Sequence, residues 1–131
     1  MNMRMEKRKQ MVSKSEASEQ ATVFVWASWM SNRIPELGLL FHIPNGGSRN
    51  VIEAAHLKAQ GVKAGVSDLM LPVARGKYHG LFIEMKAGKN RPTEKQREFL
   101  SAVQAQGYAG IVCYSAEQAT EAITNYLELE G

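Results

Sequence analysis

Residues 67–87 read SDLMLPVARGKYHGLFIEMKA. Two apolar runs, 67–74 and 80–87, flank RGKYHG, whose glycines and basic residues suit a hairpin or similar tight connection, so the stretch predicts two adjacent strands. Alternate residues of a strand share a face. In LFIEMK the side chains of Leu81, Ile83 and Met85 therefore point one way and those of Phe82, Glu84 and Lys86 the other. Asp68 stands near the start of the preceding strand, and pairing of the two strands brings its carboxylate beside Glu84 at one end of a sheet. These charges interrupt two otherwise apolar strands, next to the glycine-bounded loop GVKAGVSD. Strand ends beside loops are favoured places for chemistry.

Outward from the hairpin, helices and strands alternate. Thr93 with Gln96 three later is a capping box, and Gln96, Phe99, Leu100 and Val103 mark an apolar face that stops at Gly107. AGIVCYS reads as a strand. Ser115 with Gln118 is a further candidate capping box and opens a last helix, amphipathic through Ala119, Ala122, Ile123, Tyr126 and Leu127. On the other side, 50–60 is helical in composition with Gly61 as its stop, although its apolar stripe is poor. LLFHI, 39–43, reads as a short and largely buried strand. Ser13 with Glu16 predicts the capping box of a first helix, along which Glu19, Val23, Trp26 and Met30 recur at helical spacing; Trp26 and Trp29 are assigned to packing. The order α-β-α-β-β-α-β-α predicts an α/β fold with a mixed central sheet flanked by helices. Residues 1–12 read as a basic flexible tail and 13–131 as a single domain.

A chain of 131 residues supports one core and hence one site. Its 44% apolar and 22% charged residues exclude a disordered or fibrous chain. The net charge of +3 permits a polyanionic partner without demanding one. Cys113 is the lone cysteine, which excludes an internal disulfide or a thiolate metal cage, and a reducing, cytoplasmic setting is expected. His42, His56 and His79 are too scattered for a zinc site. No apolar stretch approaches a membrane span, and MNMRMEKRKQ lacks the apolar segment of a signal peptide.

Two adjacent carboxylates repel each other, and a hard divalent cation relieves the repulsion. Mg²⁺ favours one or two carboxylates completed by waters and phosphate oxygens. Such an ion polarises a phosphate and acidifies a bound water, while a neighbouring ammonium orients that water or stabilises charge in the transition state. Asp68, Glu84 and Lys86 thus suit phosphodiester hydrolysis. The competing reading is a solvated ion pair of little worth; the apolar context of both strands favours the catalytic one.

The stretches SEASEQ, FHIPNGGSRN, LKAQGVKAGVSDLMLP, GLFIEMKAGKNRPTEKQREFL and GYAGIVCYS, in that order, resemble the VRR-NUC branch of the PD-(D/E)XK nucleases from about Glu16 to Leu127. The resemblance implies a restriction-endonuclease-like core and a DNA endonuclease dependent on Mg²⁺, with Mn²⁺ as a substitute. It implies Asp68 and Glu84 as metal ligands together with the Met85 backbone carbonyl, Lys86 as the catalytic lysine, and Glu19 and Gln96 as supporting site residues. Glu16, one turn before Glu19, is the other candidate for the helix-one acid. Gln96 is explained equally by its capping role. The family usually has proline before the motif aspartate where this chain has Ser67, a change expected to be tolerated because proline offers no catalytic group.

His42, Asn45, Gly46, Gly47 and Arg49 fit a turn that brings backbone N–H groups and a guanidinium to DNA phosphate, with Lys63 as a further contact. A plain β-to-α turn would also use Asn-Gly. Lys58, Arg75, Lys77, Lys89 and Arg91 are plausible phosphate neighbours. Stand-alone members of the family resemble Holliday-junction resolvases, so branched DNA is the expected substrate. One site per chain and two cuts per junction then lead to a homodimer. The alternative is a non-catalytic DNA-binding module with the same fold.

Overall fold

Ser15 starts the first helix by accepting the Ser18 amide at 3.0 Å. The cap expected at Ser13 thus falls two residues later, and Ser13 itself lies outside the residues described by this computed structural model, 15–44 and 50–131. The elements follow in the order α1 (Glu16–Met30), a 3₁₀ turn (Pro35–Leu39), β1 (Phe41–His42), α2 (Val51–Ala59), β2 (Leu69–Leu71), β3 (Leu81–Met85), α3 (Glu94–Ala105), β4 (Ala109–Cys113) and α4 (Ala116–Leu127). Apart from the 3₁₀ turn, this is the predicted order.

The strands form one sheet, β1-β2-β3-β4, antiparallel except for the parallel pair β3 and β4. A parallel neighbour needs a crossover, which α3 supplies. Arg75 and Tyr78 exchange backbone hydrogen bonds at 3.1 and 2.8 Å, which closes the predicted hairpin between β2 and β3. Pro72, which has no N–H to donate, follows β2 directly and helps keep it short.

All of β3 is buried, so it is the spine of the molecule. One of its faces, Leu81, Ile83 and Met85, joins the core with Val23 and Ala27 of α1 and Ala119, Ile123 and Tyr126 of α4. Burying a side chain such as Ile83 or Ile123 contributes roughly 1.5–3 kcal/mol. The other face meets α3, where the Phe82 and Phe99 rings stand edge to face at 5.2 Å. Glu84 and Lys86 extend that second face toward the end of the sheet.

Three expectations need correction. LLFHI is not a buried five-residue strand. Pro35 favours a 3₁₀ turn through Leu39, and Phe41 and His42 form an exposed edge strand paired only with β2. Trp26 packs against the core, but Trp29 is 75% exposed because α1 turns only one face inward. Ser115 accepts the Gln118 amide at 3.1 Å, whereas the Gln118 carboxamide oxygen accepts from Tyr114, so the expected reciprocal box is only half made. Helix α2 follows its sequence signals closely: Asn50 caps it, Gly61 takes φ +104° beyond its end, and its weak stripe leaves it with no buried residue.

Candidate active site

The β2–β3 register pairs Leu69 with Ile83, and one step further it sets Asp68 opposite Glu84. Asp68 is fixed from two directions. Its Oδ2 accepts the Met85 amide at 2.7 Å, and its carbonyl accepts the Ile43 amide at 2.8 Å. The loop before it is seated by Gly65, whose φ of +91° and close approach to the Lys95 carbonyl leave no room for a Cβ. Ser67 is fully buried and its hydroxyl has no hydrogen-bond partner among the described residues.

Glu84 is 1% exposed and Lys86 7%. The Lys86 ammonium stands 3.8 Å from Glu84 Oε2, an ion-pair contact longer than a hydrogen bond. Glu84 Oε1 is buried without a partner among the described residues. Burial, then the neighbouring Asp68 charge and hydrogen bond, push the Glu84 carboxyl up to about 8; Lys86 opposes the rise, and the Glu16 carboxylate adds to it. Asp68, Glu84 and Lys86 are therefore brought together as their strand positions required.

The supporting residues divide. Glu16, at the first turn of α1, is near enough for Glu84 to sense its charge, and its Oε2 accepts from Asn90 Nδ2 at 3.3 Å. Glu19 is buried one turn along, and its Oε1 accepts the Ala116 amide at 2.6 Å, capping the start of α4. Gln96 is in its capping box: its Oε1 accepts the Thr93 amide at 2.8 Å while its own amide donates to the Thr93 hydroxyl. His42 Nδ1 lies 2.8 Å from the Asp68 carbonyl, so that nitrogen carries the proton and Nε2 is left as the acceptor in the neutral ring. Lys63 is exposed and borders a small cleft with Pro44 and Gln60. Asn45, Gly46, Gly47 and Arg49 lie outside the described residues.

A cleft of about 670 Å³ adjoins the site and is lined by Lys89, Asn90, Arg91, Arg97 and Tyr114 among others. Asn90, Arg97 and Tyr114 were not singled out in the sequence. Alternation along AGIVCYS carried a signal for one of them, since it puts Tyr114 on the face of Val112, whose partner is Glu84. Among the described residues there is no group of three or more His, Cys, Asp and Glu side chains suited to hold a metal. No helix among them is long and apolar enough to cross a membrane.

Residues 6–117 match the sequence profile of the VRR-NUC domain. A solved structure described as a VRR-NUC domain protein superposes with a TM-score of 0.74 at 31% identity, covering 88% of this chain and 90% of that one. No curated protein matches. With the profile spanning most of the chain and the fold shared over nearly all of it, the protein belongs to the VRR-NUC family of nuclease-type domains.

Proposed function

We propose that this chain is a divalent-metal-dependent DNA endonuclease that uses Mg²⁺, with Mn²⁺ as a substitute. The observation that carries the reading is the Glu84 carboxylate, buried with one oxygen unpartnered beside a second carboxylate and an ammonium. A buried anionic oxygen in that state is costly unless something positive meets it. The donor set fits a hard cation that takes two carboxylates and fills its other positions with water and phosphate oxygens, and does not fit a caged zinc. When bound, the cation supplies polarisation of the phosphate and an acidified water.

The chain's own groups do the rest. Asp68, oriented by the Met85 amide, and Glu84 provide oxygen ligands, with the Met85 carbonyl as a third. Lys86, buried and tethered to Glu84 by charge, presents a proton donor that holds a water or the negative charge growing on the phosphate oxygens. Glu16 is the acid that serves the site from α1, because Glu19 is already engaged at the start of α4. Gln96 positions the start of α3 beside the site. His42, Lys63 and, from segment 45–49, Asn45, Gly46, Gly47 and Arg49 hold the DNA backbone. The substrate is branched DNA such as a four-way junction. A homodimer presents two sites to it, and the enzyme works in the reducing cytoplasm.

Incubation with linear, flapped and four-way-junction DNA, in Mg²⁺ or Mn²⁺ and in EDTA, tests this. Metal-dependent cutting that favours the branched substrates is expected. Undiminished cutting in EDTA, or no cutting of any substrate, would overturn the proposal.

A further inference from the structure

The loop that leaves Lys86 does more than connect β3 to α3. Gly88 adopts φ +60°, and the Asn90 amide donates to the Ala87 carbonyl at 3.1 Å, so the chain turns sharply just past the catalytic strand. It then forms one wall of the cleft that holds Lys89, Asn90, Arg91, Arg97 and Tyr114. Its volume, about 670 Å³, lies within the roughly 300–1,000 Å³ of sites that enclose small ligands. Three of its lining side chains are cationic and none is acidic. That imbalance fits an anionic occupant.

The cleft is joined to the reacting centre at two points. The Lys86 amide donates to the Cys113 carbonyl at 2.8 Å, so Tyr114, the residue that follows β4, leaves the sheet next to Lys86. Asn90 donates to Glu16, whose charge Glu84 senses. The walls are also held in place. Arg97 Nη1 donates to the Pro92 carbonyl at 2.7 Å, and the Tyr114 amide donates to Gln118 Oε1 at 2.8 Å. Tyr114 is 38% exposed and lines the cleft together with these cations.

We propose that this cleft seats an unpaired nucleotide next to the scissile phosphate, its base stacked on Tyr114 and its phosphates met by Lys89, Arg91 and Arg97. Aromatic platforms beside backbone-tracking cations are how proteins hold single strands without reading sequence. A base inside a continuous duplex already stacks on its neighbours and offers no free face, whereas a base at a branch or frayed end does. The cleft therefore selects DNA in which continuous stacking is interrupted beside the cut, as at the branch point of a junction or at a frayed end. This inference rests on the nuclease reading and names the feature of the substrate which that site recognises.

The test uses a duplex with a short unpaired arm carrying 2-aminopurine, on the 5′ or the 3′ side, beside a blunt duplex of the same sequence. Binding is measured in Ca²⁺, which satisfies the carboxylates, and cleavage separately in Mg²⁺ or Mn²⁺. On one arm or the other, the fluorescence of the unpaired base is expected to fall when wild-type protein binds. Tyr114→Ala should lose that change and bind the armed duplex about tenfold more weakly. Tyr114→Phe should retain both, and blunt-duplex binding should be the same in all three. Arg91→Ala should weaken armed binding and lower its salt dependence. An unchanged fluorescence signal in Tyr114→Ala, or an equal loss on blunt and armed DNA, would overturn the cleft. The two readings separate cleanly. Base quenching without cleavage supports the cleft and removes the nuclease, whereas cleavage of armed DNA with wild-type affinity in Tyr114→Ala removes the cleft and keeps the nuclease.

Discussion

Glu84→Gln should abolish cleavage and, in the metal-free protein, remove most of a pH-dependent loss of stability. The Glu84 carboxyl is raised from an ordinary 4.5 to about 8 in the folded chain. Its contribution is fully present below 4.5, where both states are protonated, and is lost as pH rises through 8, because folding then buries a charge that water would otherwise solvate. Each pH unit in that window is worth about 1.4 kcal/mol. Between pH 5 and pH 8 the wild-type chain should therefore lose on the order of 2–4 kcal/mol relative to Glu84→Gln, the lower figure applying where solvent at the sheet end screens the charge. Chemical denaturation in EDTA at several pH values reads this difference, and saturating Mg²⁺ should restore wild-type stability at pH 8 without stabilising the variant. Parallel stability curves for the two proteins in EDTA would refute the buried, unpartnered carboxylate as the source.

The remaining expectations concern its surroundings. Glu19→Gln should cost about 1–2 kcal/mol of stability by weakening a charge-assisted cap while leaving single-turnover cleavage near wild type, and Glu16→Gln should do the reverse; comparing thermal melts with cleavage rates decides between the two acids. Gly65→Ala should destabilise by roughly 1–3 kcal/mol and weaken metal binding, because a Cβ there meets the Lys95 carbonyl at 2.6 Å and shifts the loop that delivers Asp68; calorimetric metal titration of the folded variant checks it. Ser67→Ala should be neutral or stabilising by about 1 kcal/mol, since it deletes a buried hydroxyl that has no partner; a denaturation midpoint clearly below wild type would contradict this.

The part of the fold that could be read in advance is the part governed by short-range rules. Period-two alternation in LFIEMK placed Glu84 and Lys86 on one face, and RGKYHG closed the hairpin that brings Asp68 alongside. Thr93 with Gln96, and Gly61 after the second helix, marked helix ends that the chain uses. What escaped depends on which element lies against which. An apolar run such as LLFHI looks alike in a core strand and at an exposed edge, and only the sheet order puts Phe41 at the edge. Glu16 and Glu19 sit one turn apart, and only the packing of the start of α4 beside Glu19 gives the two carboxylates different partners. The cleft brings Tyr114 to the loop that leaves Lys86, a meeting set by the parallel register of β3 and β4.

As proposed above, Asp68, Glu84 and Lys86 form a metal-dependent phosphodiesterase site. Single-turnover cleavage of a four-way junction by wild type, Asp68→Asn and Lys86→Ala, followed across a Mn²⁺ titration, tests it most directly. Wild type should cut only as metal is added. Asp68→Asn should stay inactive where metal is limiting, and Lys86→Ala should saturate with metal as wild type does while its rate at saturation falls by on the order of a hundredfold or more. Near wild-type cutting by Asp68→Asn at limiting metal, or an undiminished saturating rate in Lys86→Ala, would contradict the assignment.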